Sequence, residues 1–151
     1  MEMPRPAPEF DFLARLVGRW EGAEQIEPSA FDPEGGPATG RWHLHQLDGS
    51  FVYGDYEQER GGAVTFRGHA VYGWDAEDDH YTMYWFDSSA IDPSKPALGT
   101  RAGDTVSFLL DAKLASRMTH TIEDDHFMLL IESSLNGTEW STFLRGDYRR
   151  V

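Results

Sequence analysis

The chain of 151 residues contains no cysteine. This absence excludes disulfide bonds, a thiolate nucleophile, iron–sulfur clusters and zinc sites built from cysteine. Basic residues are also scarce, because 13 lysines and arginines stand against 26 acids and give a net charge of −13. Nucleic-acid binders need a basic surface for phosphate contacts, and anionic membranes attract basic segments. We therefore expect neither nucleic acid nor a membrane as a partner.

No apolar run reaches the length of a membrane span, and residues 1–8 lack the apolar core of a signal peptide. Both features favour a cytoplasmic protein. With 40% apolar and 13% aromatic residues, the chain has enough apolar character to fold as one domain. We predict a flexible, proline-rich arm at residues 1–8 and a single domain at residues 9–151.

Only one segment has helical character. Residues 9–17 place apolar side chains at helical spacing, and Gly18 follows as a stop signal. The remainder is rich in Phe, Tyr, Trp, Thr and Val and is divided by turn residues such as Asp48-Gly49 and Asn136-Gly137. We predict antiparallel strands at residues 18–27, 39–47, 51–60, 64–74, 80–88, 97–101, 105–110, 114–122, 126–134 and 138–149.

Successive strands joined by tight turns favour a closed barrel, because closure removes exposed strand edges. A flat sandwich is the alternative fold. A barrel of this size is wide enough to hold one small ligand. We therefore predict an all-β fold, an antiparallel barrel of about ten strands with one short N-terminal helix.

Hairpin turns also predict which side chains face the interior. If Asn136-Gly137 is a two-residue turn, Leu129 pairs with Leu144, and the preceding hairpin places Arg117 beside Glu132. An ion pair suits the outer face of the barrel. This register puts seven side chains inside: Met118, His120, Leu129, Ile131, Trp140, Thr142 and Leu144.

Similar pairing across residues 75–79 would align Arg67 with Asp87 and His69 with Trp85. A slip of one residue would exchange the two faces of both strands. A catalytic arrangement of Arg67, His69 and Asp87 is conceivable, with the aspartate orienting the histidine as a general base. An exposed cross-strand salt pair is the simpler interpretation.

A short helix leading into Gly18-Arg19-Trp20 resembles the start of calycin domains, which include lipocalins and fatty-acid-binding proteins. The segments 47–52, 66–75, 81–87 and 148–150 follow in order. Together they resemble a lipocalin-like bacterial domain family of unknown function across residues 10–150. The resemblance implies that Trp20 closes one end of the barrel with Arg149 or Arg150 stacked on its ring. It also implies a container for a small molecule.

Residues 18–22 further resemble the first strand of nitrobindin, a haem-carrying relative with a Gly-x-Trp-x-Gly pattern. The glycine-rich continuation of that strand and its tyrosine–proline are replaced here by residues 23–27. The resemblance makes His120 the candidate for a proximal haem ligand. We expect no cofactor, with haem as the alternative.

His43 and His45 point to one face of their predicted strand, where both imidazoles could bind one metal ion. No patterned third ligand accompanies them, so we predict no metal site. The acidic turn at residues 75–79 lacks the ligand spacing of a calcium loop.

Five Trp, six Tyr and nine Phe form a large aromatic complement. Interior aromatics suit a flat apolar ligand, whereas outer-face aromatics suit a homodimer interface. We predict binding of a small, largely hydrophobic molecule inside the barrel. The alternative is a small cyclase, isomerase or hydrolase in which His69 or His120 moves a proton. The predicted ligand-binding residues are Arg67, His69, Trp85, Met118, His120, Ile131, Trp140 and Thr142.

Overall fold

Ten antiparallel strands form a closed barrel in the computed structural model, which describes residues 1–151. Each strand pairs with the next along the chain, and the first pairs with the last. The predicted all-β barrel is confirmed, with strand ends within about three residues of those predicted. The strands are β1 (Gly18–Ile26), β2 (Gly36–Gln46), β3 (Val52–Arg60), β4 (Ala63–Asp75), β5 (His80–Asp87), β6 (Ala97–Ala102), β7 (Thr105–Leu110), β8 (Ala115–Ile122), β9 (His126–Ser134) and β10 (Ser141–Arg150).

One α-helix, α1 (Phe10–Leu13), continues into a 3-10 turn over Ala14–Leu16. The predicted helix at residues 9–17 is therefore present but shorter. Its buried side chains, Phe10, Phe12, Leu13 and Leu16, close one end of the barrel, which we call the helix end. The opposite end has no helix over it and is called the open end. No helix in the structure has the length and apolar character needed to cross a membrane.

Trp20 lies fully buried at the helix end, and its indole N–H donates to the Leu16 carbonyl at 2.9 Å. The guanidinium carbon of Arg150 lies 4.1 Å from the centroid of the Trp20 ring. A guanidinium over an indole face gains cation–π energy. The same guanidinium donates at 2.6–2.8 Å to the backbone carbonyls of Arg15, Val17 and Asp124. Arg150 therefore ties the 3-10 turn and the β8–β9 turn to the last strand.

Gly18 has a φ of +130°, a conformation that favours glycine. A Cβ atom at this position would lie 2.6 Å from Nη1 of Arg150. The glycine is therefore needed for both its backbone angle and the approach of the arginine. Arg149 is exposed and pairs in register with Glu21, so Arg150 is the arginine that stacks on Trp20.

The register between β8 and β9 agrees with the sequence analysis. This hairpin places side chains from the two strands in directly opposed pairs, as a short connection requires. Arg117 Nε donates to Glu132 Oε1 at 3.0 Å on the outer face, as expected. The pairs are Met118 with Ile131, His120 with Leu129, and Arg117 with Glu132.

The predicted register between β9 and β10 is wrong. Asn136-Gly137 is not a two-residue turn, because the strands stop at Ser134 and Ser141 and leave a six-residue loop. Within this loop, Asn136 Oδ1 accepts hydrogen bonds from the backbone N–H groups of Thr138 and Glu139. A β-bulge between Thr142 and Leu144 then shifts the pairing again.

These two irregularities change which side chains face the interior. Leu144 remains inside and is buried, opposite Ile131. Thr142 pairs with Glu132 and therefore lies on the outer face. Trp140 also lies outside, where the Arg117 guanidinium is 4.2 Å from its ring centroid. The expected inward orientation of Trp140 and Thr142 is thus incorrect.

The predicted pairing of β4 with β5 is wrong by one residue. Asp75 pairs with His80 across a turn of four residues, so Ala70 faces Trp85 and Gly68 faces Asp87. Because a slip of one residue exchanges the faces of a strand, Arg67 and His69 lie on the outer face. There, His69 Nδ1 is 2.7 Å from the carboxylate of Asp55.

We expect Arg150→Leu to lower the free energy of unfolding by about 1–2 kcal/mol, because it removes a cation–π contact and three hydrogen bonds. Arg149→Leu, the same change on the other face of β10, should alter it by less than about 0.5 kcal/mol. Urea unfolding followed by tryptophan fluorescence measures both. Equal losses in the two variants would contradict a special role for Arg150.

Candidate functional site at the open end of the barrel

The half of the interior next to the helix is filled by the protein's own aromatic side chains. Tyr72, Phe108, Phe127 and Tyr148 are fully buried beside Trp20. Their rings contact one another, with centroid distances of 5.7 Å for Tyr72–Phe108 and 5.0 Å for Phe127–Tyr148. Such packing stabilises the barrel and occupies this half with the protein's own side chains.

His120 is part of this filled half, with 1% of its surface exposed. Its Nε2 lies 2.9 Å from the Tyr72 hydroxyl, and its Nδ1 is buried without a partner. The ring stacks on Phe127 at a centroid distance of 5.6 Å, and Phe108 packs edge-on at 5.2 Å. Burial lowers the pKa of His120 to about 4. The surroundings of His120 therefore do not fit a haem ligand or a residue that exchanges protons with a substrate.

The open end differs, because several of its inward-facing apolar side chains are only half-buried. They occupy inner-face positions of β4, β5, β7, β8 and β9, near the strand ends away from α1. Inner-face positions at the same end of a closed barrel lie around one axis and point toward one another. We call this set the open-end rim: Phe66, Trp85, Leu110, Met118 and Ile131.

Trp85 is held in place within the rim by two features. Its indole N–H donates to Asp87 Oδ2 at 2.8 Å. Its six-membered ring lies over Gly68, where a Cβ atom would overlap it. The absence of a side chain at Gly68 therefore lets the large indole lie against the wall of the barrel.

A buried carboxylate lies on the inner face of β1, near the open end. Glu24 is 3% exposed and accepts a hydrogen bond from the Tyr56 hydroxyl, which lies 2.8 Å from both carboxylate oxygens. The Gln58 amide donates at 3.0 Å, and the Tyr148 hydroxyl also donates. A Cβ atom at Gly40 would overlap the carboxylate, so the glycine provides its space.

Every hydrogen-bond donor to Glu24 is neutral. No Arg, Lys or His forms a salt bridge with it, and burial raises the pKa of Glu24, while the hydrogen bonds from Tyr148, Tyr56 and Gln58 oppose that shift. Burial also raises the pKa of both Tyr56 and Tyr148, so their hydroxyls keep their protons and remain donors. The arrangement is a preformed polar centre inside an apolar wall.

The predicted ligand-binding residues are divided among three places. Trp85, Met118 and Ile131 lie in the open-end rim. His120 lies deeper, in the filled half. Arg67, His69, Trp140 and Thr142 are on the outer face, so neither Arg67 nor His69 meets the site.

Four residues of this polar centre were not predicted from the sequence: Glu24, Tyr56, Gln58 and Tyr148. One signal was available, because residues two apart on a strand share a face. Glu24 lies four residues after Trp20 and therefore faces the interior with it. An acidic residue at an inward position of β1, the strand that contains Trp20, therefore predicts a buried carboxylate.

Outside the barrel, two groups contain metal-binding side-chain types. The rings of His43 and His45 have centroids 4.2 Å apart on the outer face of β2. Asp75, Asp78 and His80 at the β4–β5 turn have ligand atoms within 4.8 Å of one another. Exposed acidic turns of this kind are common without a metal ion, and the absence of a metal site stays a prediction.

Two depressions were found besides the rim. One, of about 540 Å³, is lined by residues 31–34 with Arg60 and Thr65. The other, of about 480 Å³, lies along β1 to β4, and its lining includes both the outer-face residues Arg19, Arg41 and Arg67 and the aromatic residues Trp20, Trp42 and Tyr56. Neither depression is lined by a residue of the rim.

The fold and the open-end rim define a lipocalin-like barrel with one end closed by a helix. The chain belongs to the family described as protein of unknown function (DUF1579), which matches residues 5–150. The expected membership of a lipocalin-like family of unknown function is thereby confirmed.

Among solved structures, the chain is similar to Rv2717c from M. tuberculosis, with a TM-score of 0.73 and 13% sequence identity over 97% of this chain and 99% of that one. It also aligns with EF1p2_mFAP2b bound to DFHBI, with a TM-score of 0.49 and 11% identity over 94% and 98% of the two chains. A search of curated protein sequences gives no match. The first similarity shows the shared fold.

The burial of His120 predicts a loss of stability in acid. Its pKa is about 4 in the folded protein and near 6.5 when unfolded, so the unfolded state takes up the proton first. The free energy of unfolding should fall by up to about 3 kcal/mol from this residue as pH decreases from 6.5 to 4. His120→Phe should remove this part of the pH dependence, as measured by urea unfolding.

His45→Phe is the matched control, because His45 is exposed on the outer face. It should leave the pH dependence of stability unchanged. If the two variants retain the same slope between pH 6.5 and 4, the buried neutral histidine does not contribute as described.

Proposed function

We propose that the protein binds a small, largely hydrophobic molecule at the open end of its barrel. The open-end rim carries this proposal, because its apolar side chains face inward and remain half-buried, whereas Trp20, Tyr72 and Phe108 beside the helix are fully buried. A bound molecule would remove the exposed rim surface from water. Each 100 Å² of apolar surface removed contributes about 2.5 kcal/mol.

The filled half determines how deep the ligand lies. Rings of Tyr72, Phe108 and Phe127 occupy the interior beside the helix. The proposed ligand therefore enters from the open end, rests against Trp85, Leu110 and their neighbours, and stops above this aromatic layer. Its polar group faces the side of the barrel where Gln58 and Glu24 lie.

Binding of this kind requires no cofactor. Proton transfer by a histidine, the enzymatic alternative, has no support in the geometry, because His120 is enclosed and His69 lies on the outer face. The buried carboxylate of Glu24 is the titratable group of the site. We therefore propose that the site binds a ligand and does not catalyse proton transfer.

We also propose that the protein is related to the calycins. The contact between Trp20 and Arg150 supports this relationship.

A homodimer stays a prediction, and its support is the exposed apolar surface on the outer faces of β5 and β6. The side chains concerned are Tyr84, Phe86 and Leu98. The cytoplasmic location rests on the sequence alone.

Nile red, which is uncharged and fluoresces in apolar surroundings, provides a direct test. The wild-type protein should raise its fluorescence at a saturable site. Met118→Glu should weaken binding by about tenfold or more, because a carboxylate in the rim must be desolvated on binding.

Met128→Glu is the matched control, since Met128 lies on the outer face of β9 and is already exposed. This variant should bind as the wild type does. Leu110→Glu repeats the test on another strand, and circular dichroism checks that each variant is folded. Equal binding by the inner-face and outer-face variants would overturn the proposal.

A further inference from the structure

We infer that the ligand carries a protonated amino group, and that Glu24 binds this group while the open-end rim holds an apolar tail. The inference rests on the proposed function and specifies its ligand class. It concerns apolar organic amines, in contrast to neutral lipid-like molecules or fatty acids.

Glu24 has no countercharge. A carboxylate removed from water is ordinarily paired with a cation or takes up a proton, because hydrogen bonds alone recover only part of its hydration. Glu24 is 3% exposed and has only neutral donors. Arg60, on the same strand as Gln58, is paired with Asp32 instead. A cation from outside would complete the charge balance at this position.

One of the hydrogen-bond donors to Glu24, the Gln58 amide, lies where a ligand could replace it. Tyr56 and Tyr148 approach Glu24 from within the packed interior, whereas Gln58 lies near the end of β3 at the open end and is 8% exposed. The Gln58 amide donates to both Glu24 and the Tyr56 hydroxyl, each at 3.0 Å. An ammonium N–H that replaces this amide would keep both oxygens of the carboxylate hydrogen-bonded.

Aromatic side chains surround Tyr56, which donates to Glu24. Its ring centroid lies 4.6 Å from that of Trp42, 5.8 Å from that of Trp85 and 6.5 Å from that of Phe66. Aromatic faces attract cations, most strongly when water is excluded. Phe66 and Trp85 belong to the rim and are half-buried, so their faces are available to an ammonium group that enters from the open end.

The overall charge favours the same ligand class. A net charge of −13 attracts cations and repels fatty-acid carboxylates. Asp87, which accepts the hydrogen bond from Trp85, adds an acidic group beside the rim. A carboxylate ligand would meet Glu24 and Asp87 as like charges.

Binding should depend on pH through Glu24. The groups that face it are the Tyr56 hydroxyl and the Gln58 amide from β3, Tyr148 from β10, and Gly40 from β2. Both tyrosines remain neutral, so Glu24 is the group that titrates. Since burial raises its pKa in the free protein, an ammonium ligand binds more tightly as the carboxyl loses its proton.

The test compares octylamine, 1-octanol and octanoate, which share an apolar tail, by displacement of Nile red. At neutral pH, octylammonium should bind at least about tenfold more tightly than octanol, and octanoate should bind most weakly. Affinity for octylammonium should rise as the pH increases through the raised pKa of Glu24, whereas affinity for octanol should stay constant.

Glu24→Gln should remove the preference for octylammonium and retain octanol binding. Glu21→Gln is the matched control, because Glu21 is on the outer face of the same strand and pairs with Arg41 at 3.3 Å. It should keep the wild-type preference. The wild-type pH profile requires no variant and remains decisive if Glu24→Gln does not fold.

Equal affinity for octylammonium and octanol in the wild type would overturn the inference, as would a flat pH profile. A preference for octylammonium that persists in Glu24→Gln would show that acids other than Glu24 bind the cation, and would therefore also contradict the inference. In each of these cases, displacement of Nile red by octanol would leave the proposed function intact. Failure of all three compounds to displace Nile red would contradict the proposed function itself.

Discussion

The contact between Arg150 and Trp20 determines how the two ends of the barrel differ. It joins the last strand to the first at the point where the ring of strands closes. It also holds the 3-10 turn through the carbonyls of Arg15 and Val17, and thereby keeps α1 over the helix end. With one end sealed in this way, the other end is the one through which the proposed ligand would enter the interior.

The interior is correspondingly divided. At the helix end, aromatic packing and the hydrogen bond between Tyr72 and His120 enclose the imidazole ring of His120. At the open end, the rim keeps part of its apolar surface exposed, and Glu24 remains without a countercharge. Natural proteins place such locally unfavourable features at functional sites and compensate for them elsewhere. Here, the tightly packed half of the barrel supplies stability that offsets the unfavourable features of the open end.

The fold was predictable because turn residues, strand composition and the start at Gly18-Arg19-Trp20 agree with one another. The face of each strand that points inward was harder to predict, because register depends on turn length and on bulges. Asn136-Gly137 suggests a two-residue turn, yet Asn136 bonds within a longer loop. A bulge next to Phe143 has no marker in the sequence. These two features explain why Trp140 and Thr142 were assigned to the wrong face. His69 was misassigned because only four residues separate Asp75 from His80, so that β4 and β5 pair one residue away from the predicted register.

Methyl NMR with 2-naphthol, a flat apolar molecule with one polar group, tests the division of the barrel most directly. Its ring current should shift the methyl signals of Leu110, Met118 and Ile131 at the open-end rim. The methyl signals of Leu13, Leu16 and Ile122, which are fully buried near the helix end, should not move. Shifts confined to the helix-end methyls, or none at the rim under saturating 2-naphthol, would contradict the account.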